Sequence, residues 1–146
     1  YKTDLLLGNL DAHLFGPALD KVFILIGTND IGKEIPQSET LENLEGVIQK
    51  ISREYPLAQI QLLSVLPVNE GEEYKGTVHL RTNEKIQNLN RAYQGLASIY
   101  TNVHFIDLYE TLLDETGQLD QEFTTDGLHL TIAGYALLSS ELDKYL

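Results

Sequence analysis

Two short stretches carry residue types suited to chemistry. Gly27-Thr28-Asn29-Asp30 places three small polar side chains behind a glycine, directly after the apolar run Val22-Phe23-Ile24-Leu25-Ile26. Thr125-Asp126-Gly127-Leu128-His129-Leu130 sets a carboxylate and an imidazole three residues apart. At that spacing on a turn the two can meet. The carboxylate then takes the Nδ1–H, fixes the tautomer and leaves Nε2 free as a general base. Each stretch also has a plainer reading. Asn29 or Asp30 closes an Asx-type turn on local backbone. Asp126 faces the positive end of a helix, with His129 merely half-buried beside it.

The elements that must position these residues follow from the hydrophobic pattern. Leu6, Leu7, Leu10 and Leu14 recur at helical spacing after Thr3-Asp4, and Gly16-Pro17 ends that helix. Residues 22–26 are continuously apolar and rich in β-branched and aromatic side chains. They read as a strand buried on both faces, the habit of a parallel sheet. Ser38 or Thr40 caps a second helix with Leu41, Leu44, Val47, Ile48 and Ile51 as its stripe, ending near Tyr55-Pro56. Residues 60–65 form a second strand, halted by Leu66-Pro67, and residues 68–81 form a polar loop long enough to work. Thr82 opens a third helix carrying Ile86, Leu89, Tyr93, Leu96 and Tyr100. Residues 103–106 are a third strand and residues 131–145 a final helix. The order α-β-α-β-α-β-α requires crossover connections, hence an α/β domain with a parallel sheet between helices. Ligands of such sheets bind beyond the carboxyl ends of the strands, where residues 27–30 stand.

Composition narrows the function. The 146 residues fit one domain, and a 42% hydrophobic content supplies a core. Ten Lys and Arg against 22 Asp and Glu give a net charge of −12, which repels nucleic acids and anionic lipid surfaces. No apolar run approaches the roughly 20 residues of a membrane span. Cysteine is absent, so disulfides and thiolate chemistry are excluded, in keeping with a reducing, cytoplasmic compartment. His13, His79 and His104 have no second ligand at helical or turn spacing, so neither a metal nor another cofactor is expected. Methionine is also absent. We therefore expect either a processed N-terminus or a chain that begins partway through a larger domain.

Taken together, GTND after a buried strand and DGLHL before the last helix resemble the third and fifth sequence blocks of the SGNH (GDSL) hydrolase family. The flanking DKVFILIGTNDIG and TTDGLHLTIAGYALL are similar to family sequence as well, most of all to bacterial relatives of the platelet-activating-factor acetylhydrolases. The resemblance implies a three-layer, flavodoxin-like sheet. It implies an acyl ester as substrate, cleaved by a Ser-His-Asp mechanism, and short acyl groups are expected. Asn29 would donate its side-chain amide to the oxyanion, His129 would be the general base and Asp126 its orienting carboxylate. Asp30 is expected to steady the loop behind Asn29.

The departures are equally definite. No GDS occurs, and no glycine precedes residues 3–15 where the family's second oxyanion donor would stand. The six serines are Ser38, Ser52, Ser64, Ser98, Ser139 and Ser140. All but Ser64 suit helix caps or helix bodies, and Ser64 sits inside an apolar strand, where serine usually bonds to backbone. Residues 1–146 thus read as a single SGNH hydrolase-like domain lacking its N-terminal part, inactive as written, with the nucleophile upstream of Tyr1. The alternative is a non-catalytic remnant or binding module that has lost its serine. In the family's sheet the nucleophile strand lies beside the GTND strand. Without it, residues 22–26 form an open apolar edge that pairs either with upstream strands or with another copy of the chain.

Overall fold

The computed structural model describes residues 2–3 and 21–145. The helix expected over residues 3–15 lies, apart from Thr3, outside the described residues. From Lys21 onward the chain forms β1 (Lys21–Ile24), α1 (Thr28–Gly32), α2 (Gln37–Glu54), β2 (Gln59–Leu63), α3 (Lys75–Val78), α4 (Asn83–Ile99), β3 (Val103–Ile106) and α5 (Ile132–Asp143). The strands are parallel in the order β1-β2-β3, as helical crossovers require.

The register explains the layers. Val22 pairs with Ile60, and Ile60 with Val103; two residues on, Ile24 pairs with Leu62, and Leu62 with Phe105. Side chains alternate along a strand, so these six share one face. They pack against Leu44, Val47, Ile48 and Ile51 of α2 and Ile86, Leu89, Tyr93 and Leu96 of α4. Fully burying one such side chain is worth about 1.5–3 kcal/mol, and this stripe is the main source of cohesion. On the other face Leu63 and Ile106 meet Leu108 and Leu138, the last from α5. Helices on both faces of a parallel sheet make the three-layer α/β fold.

Three expectations need correction. Residues 22–26 are not buried on both faces: β1 ends at Ile24, and Phe23 and Leu25 are 37% and 46% exposed. The apolar cluster on the α5 side draws on Leu63 of β2 and Ile106 of β3 and on no residue of β1, so among the described residues Phe23 and Leu25 stand outside it. Neither Ser38 nor Thr40 caps α2. Its N-cap is Pro36 without a side-chain bond, and the Thr40 hydroxyl instead donates to Asp30 Oδ2 at 3.0 Å. The 68–81 segment is not all loop, since it holds a 3-10 turn at Glu72–Tyr74 and then α3. Thr82 does cap α4, accepting from the Lys85 amide. Among the described residues no helix is long and apolar enough to cross a membrane.

Candidate active site

The Asp126–His129 stretch is a self-closing turn. Asp126 Oδ1 accepts from the Leu128 and His129 amides at 2.9 and 2.7 Å, and Oδ2 lies 2.6 Å from His129 Nδ1. Thr124 braces the turn from behind. Its hydroxyl donates to the His129 carbonyl at 2.7 Å and accepts from the Gly127 amide at 2.9 Å. The helix that follows is capped by Thr131, whose Oγ1 accepts from the Gly134 amide. Asp126 is therefore not the cap of α5, and its second oxygen is committed to the imidazole. Burial pushes the Asp126 carboxyl upward, but the hydrogen bonds from the His129 ring and the two amides, with the imidazolium charge, outweigh it and hold it at about 2. An ionised carboxylate only accepts, so Nδ1 carries the proton. The His129 side chain is 73% exposed, and Nε2 has no hydrogen-bond partner among the described residues.

Asn29 is placed by different means. Gly27, at φ 127°, turns the chain off β1 into α1. A Cβ there would come within 2.5 Å of the Tyr93 hydroxyl, which donates to the Ile26 carbonyl at 2.9 Å. Burial, reinforced by the negative charge of Asp30, raises the Tyr93 phenol above its ordinary value. The phenol therefore remains a neutral donor fastening the end of β1. Asp30, 1% exposed, accepts from the Thr3 amide at 2.8 Å, the Thr3 hydroxyl at 2.6 Å and the Thr40 hydroxyl at 3.0 Å. These bonds tie Asp30 of α1 to Thr40 of α2 and to Thr3. Asn29 itself leaves its Oδ1 to Arg81, whose Nη2 donates at 2.8 Å.

The two stretches come to one end of the sheet. A cavity of about 170 Å³ at the carboxyl ends of β1 and β2 is lined by Gly27, Thr28 and Asn29, by Val65 to Pro67, and by Leu128 beside His129. The backbone bond from Asn69 N to the Gly127 carbonyl, 2.8 Å, docks the histidine turn onto the segment after β2. That segment is clamped by α4. Asn90 pairs with both backbone groups of Val65 at 2.7 and 2.9 Å, and Asn83 with both of Val68 at 2.9 Å each. Sequence reasoning missed Arg81, Asn83 and Asn90. The two asparagines stand two helical turns apart in the apolar stripe of α4, a polar interruption that calls for buried partners. Arg81, at the end of a polar loop, gave no such signal.

None of the serines in described segments is sited with these residues. Ser64 follows β2, fully buried, and its Oγ accepts from the Leu108 amide at 2.8 Å. Ser38 and Ser52 lie in α2, Ser98 in α4, and Ser139 and Ser140 in α5.

Comparison with known proteins bears on the family and the fold. Residues 1–137 match the GDSL-like Lipase/Acylhydrolase family. A solved structure from Streptococcus pneumonia, provisionally described as a platelet activating factor, is 61% identical with a TM-score of 0.98, covering 99% of this chain and 68% of that one. A GDSL-like lipase from Bacteroides thetaiotaomicron superposes with a TM-score of 0.80 at 23% identity, over 99% of this chain and 70% of its own. Among curated proteins, the N-acylneuraminate cytidylyltransferase of Escherichia coli O18:K1:H7 is 34% identical over 122 residues. That match takes in 83% of this chain but 27% of the relative, so the chain spans about a quarter of that protein's length.

Proposed function

The chain belongs to the GDSL-like lipase/acylhydrolase family, and from that premise we propose that the complete protein hydrolyses carboxylic esters with short acyl groups. The observation that carries the proposal is the 2.6 Å contact between Asp126 Oδ2 and His129 Nδ1, in a turn whose Leu128 lines one cavity together with Asn29. In this reading residues 1–146 are the later part of one hydrolase domain. The nucleophilic serine lies upstream of Tyr1, on a strand that pairs with the edge of β1 that has no strand partner among the described residues.

The chemistry then runs in two halves. His129 Nε2 takes the serine proton as Oγ attacks the acyl carbon, and Asp126 stabilises the imidazolium through Nδ1–H. Asn29 Nδ2 donates to the tetrahedral oxyanion. Collapse sends the proton from Nε2 to the leaving alcohol, and water repeats the sequence on the acyl-serine. The test is hydrolysis of p-nitrophenyl esters of increasing chain length by the complete protein and by H129A. Acetate is expected to be turned over fastest, with H129A lowering kcat on the order of 10⁴-fold or more. Hydrolysis undiminished in H129A would refute the mechanism. No hydrolysis by a complete protein that contains the serine would favour a binding module instead.

A further inference from the structure

Resting on the oxyanion reading of Asn29, we propose that Arg81 is a positioning residue that locks the Asn29 amide with its Nδ2 donors turned toward the site. Every polar contact of the guanidinium supports this. Nε donates to the carbonyl and hydroxyl of Thr28, both at 3.1 Å, Nη1 to the carbonyls of Thr77 and Val78 at 3.4 Å, and Nη2 to Asn29 Oδ1 at 2.8 Å. An amide can present either end, but a guanidinium has no acceptor. The atom facing Arg81 must be the oxygen, and both N–H bonds then point away from it. Nδ2 has no partner among the described residues, which leaves a pre-aimed, unspent donor pair.

Two further features are built around this contact. A Cβ on Gly32 would lie 2.7 Å from the Arg81 guanidinium carbon, so the glycine admits the flat group against α1. His79 takes φ 55° and ψ −118°, a conformation side chains rarely adopt, in a turn closed by Arg81 N donating to the Val78 carbonyl at 3.1 Å. Strain of that kind persists where the surroundings over-determine it, and here it swings Arg81 back over Thr28 and Asn29. The fork is nearly spent on protein acceptors, which argues for orientation rather than substrate binding.

The experiment is a double-mutant cycle on Asn29 and Arg81 in the complete protein, with kcat and KM measured on p-nitrophenyl acetate. R81M is expected to lower kcat about 10- to 100-fold with KM nearly unchanged, because a misaimed donor fails mainly in the transition state. R81M/N29A should be no slower than N29A, since the arginine acts only through the asparagine. R81K keeps the charge but not the fork and should resemble R81M; it serves the same cycle if R81M does not fold. Parental kcat in R81M, losses that multiply in the double variant, or full rescue by R81K would each overturn the positioning role. Parental kcat in N29A would instead overturn the oxyanion reading beneath it.

Discussion

Asp126 and His129 hold each other across one turn, whereas Asn29 takes its orientation from an arginine 52 residues later in the chain. The histidine limb is local and largely exposed; one oxygen of its carboxylate makes the turn and the other holds the imidazole. The asparagine limb is tertiary. It needs Arg81 in front, Tyr93 beneath the Ile26 carbonyl, and the buried Asp30 tied to Thr3 and Thr40. A site assembled in this way can lose one limb's order without losing the other's. Damage to α1 or its supports should therefore read out as lost oxyanion stabilisation with the base intact.

Substitutions that separate the limbs make the contrast measurable. In the complete protein D126N should lower kcat about 10⁴-fold, because an amide holds the imidazole in the wrong tautomer. N29A should cost less, about 10²–10³-fold in kcat with little change in KM, since the donor acts on the developing oxyanion. Steady-state kinetics with p-nitrophenyl acetate decides this, and equal losses would erase the proposed division of labour. A smaller effect is expected behind Asn29. T40V removes one donor from the buried Asp30 carboxylate and should destabilise the fold by about 1–3 kcal/mol, measured by urea denaturation. An unchanged midpoint would show that Thr3 alone satisfies Asp30.

The smallest effect expected is on pH dependence. The Asp126 carboxyl is held at about 2 against an ordinary 3.8, so the folded protein binds that proton less readily than the unfolded chain. Its contribution to stability is thus fully present above pH 3.8 and is lost as the pH falls through about 2. D126N should be less stable than the parent at neutral pH, with the gap closing across that acid window. A gap that persists unchanged to the bottom of the window would mean that the turn is held by something other than the ionised carboxylate.

The same contrast separates what was legible in the residues from what was not. The parallel α/β order, the three strands, the Thr82 cap and the Asp126–His129 pairing all rest on short-range regularities: a period of alternation, a cap two or three residues from its amide, a turn closed by its own side chain. Such features need few neighbours and survive being read in one dimension. The corrections fall elsewhere. Thr40 looked like a helix cap because its hydroxyl has local amides within reach, but the buried Asp30 carboxylate claims it. β1 looked doubly buried because its residues are apolar, yet whether Phe23 meets a helix or open space depends on which layer passes over it. Arg81 was invisible for the same reason. A guanidinium chooses among acceptors by their arrangement in space: the Thr77 and Val78 carbonyls lie just before it in the chain, but only folding brings Thr28 and Asn29 to it. Periodicity and local hydrogen bonding fix the elements and the histidine turn, while the aim of the asparagine amide emerges only when distant segments pack.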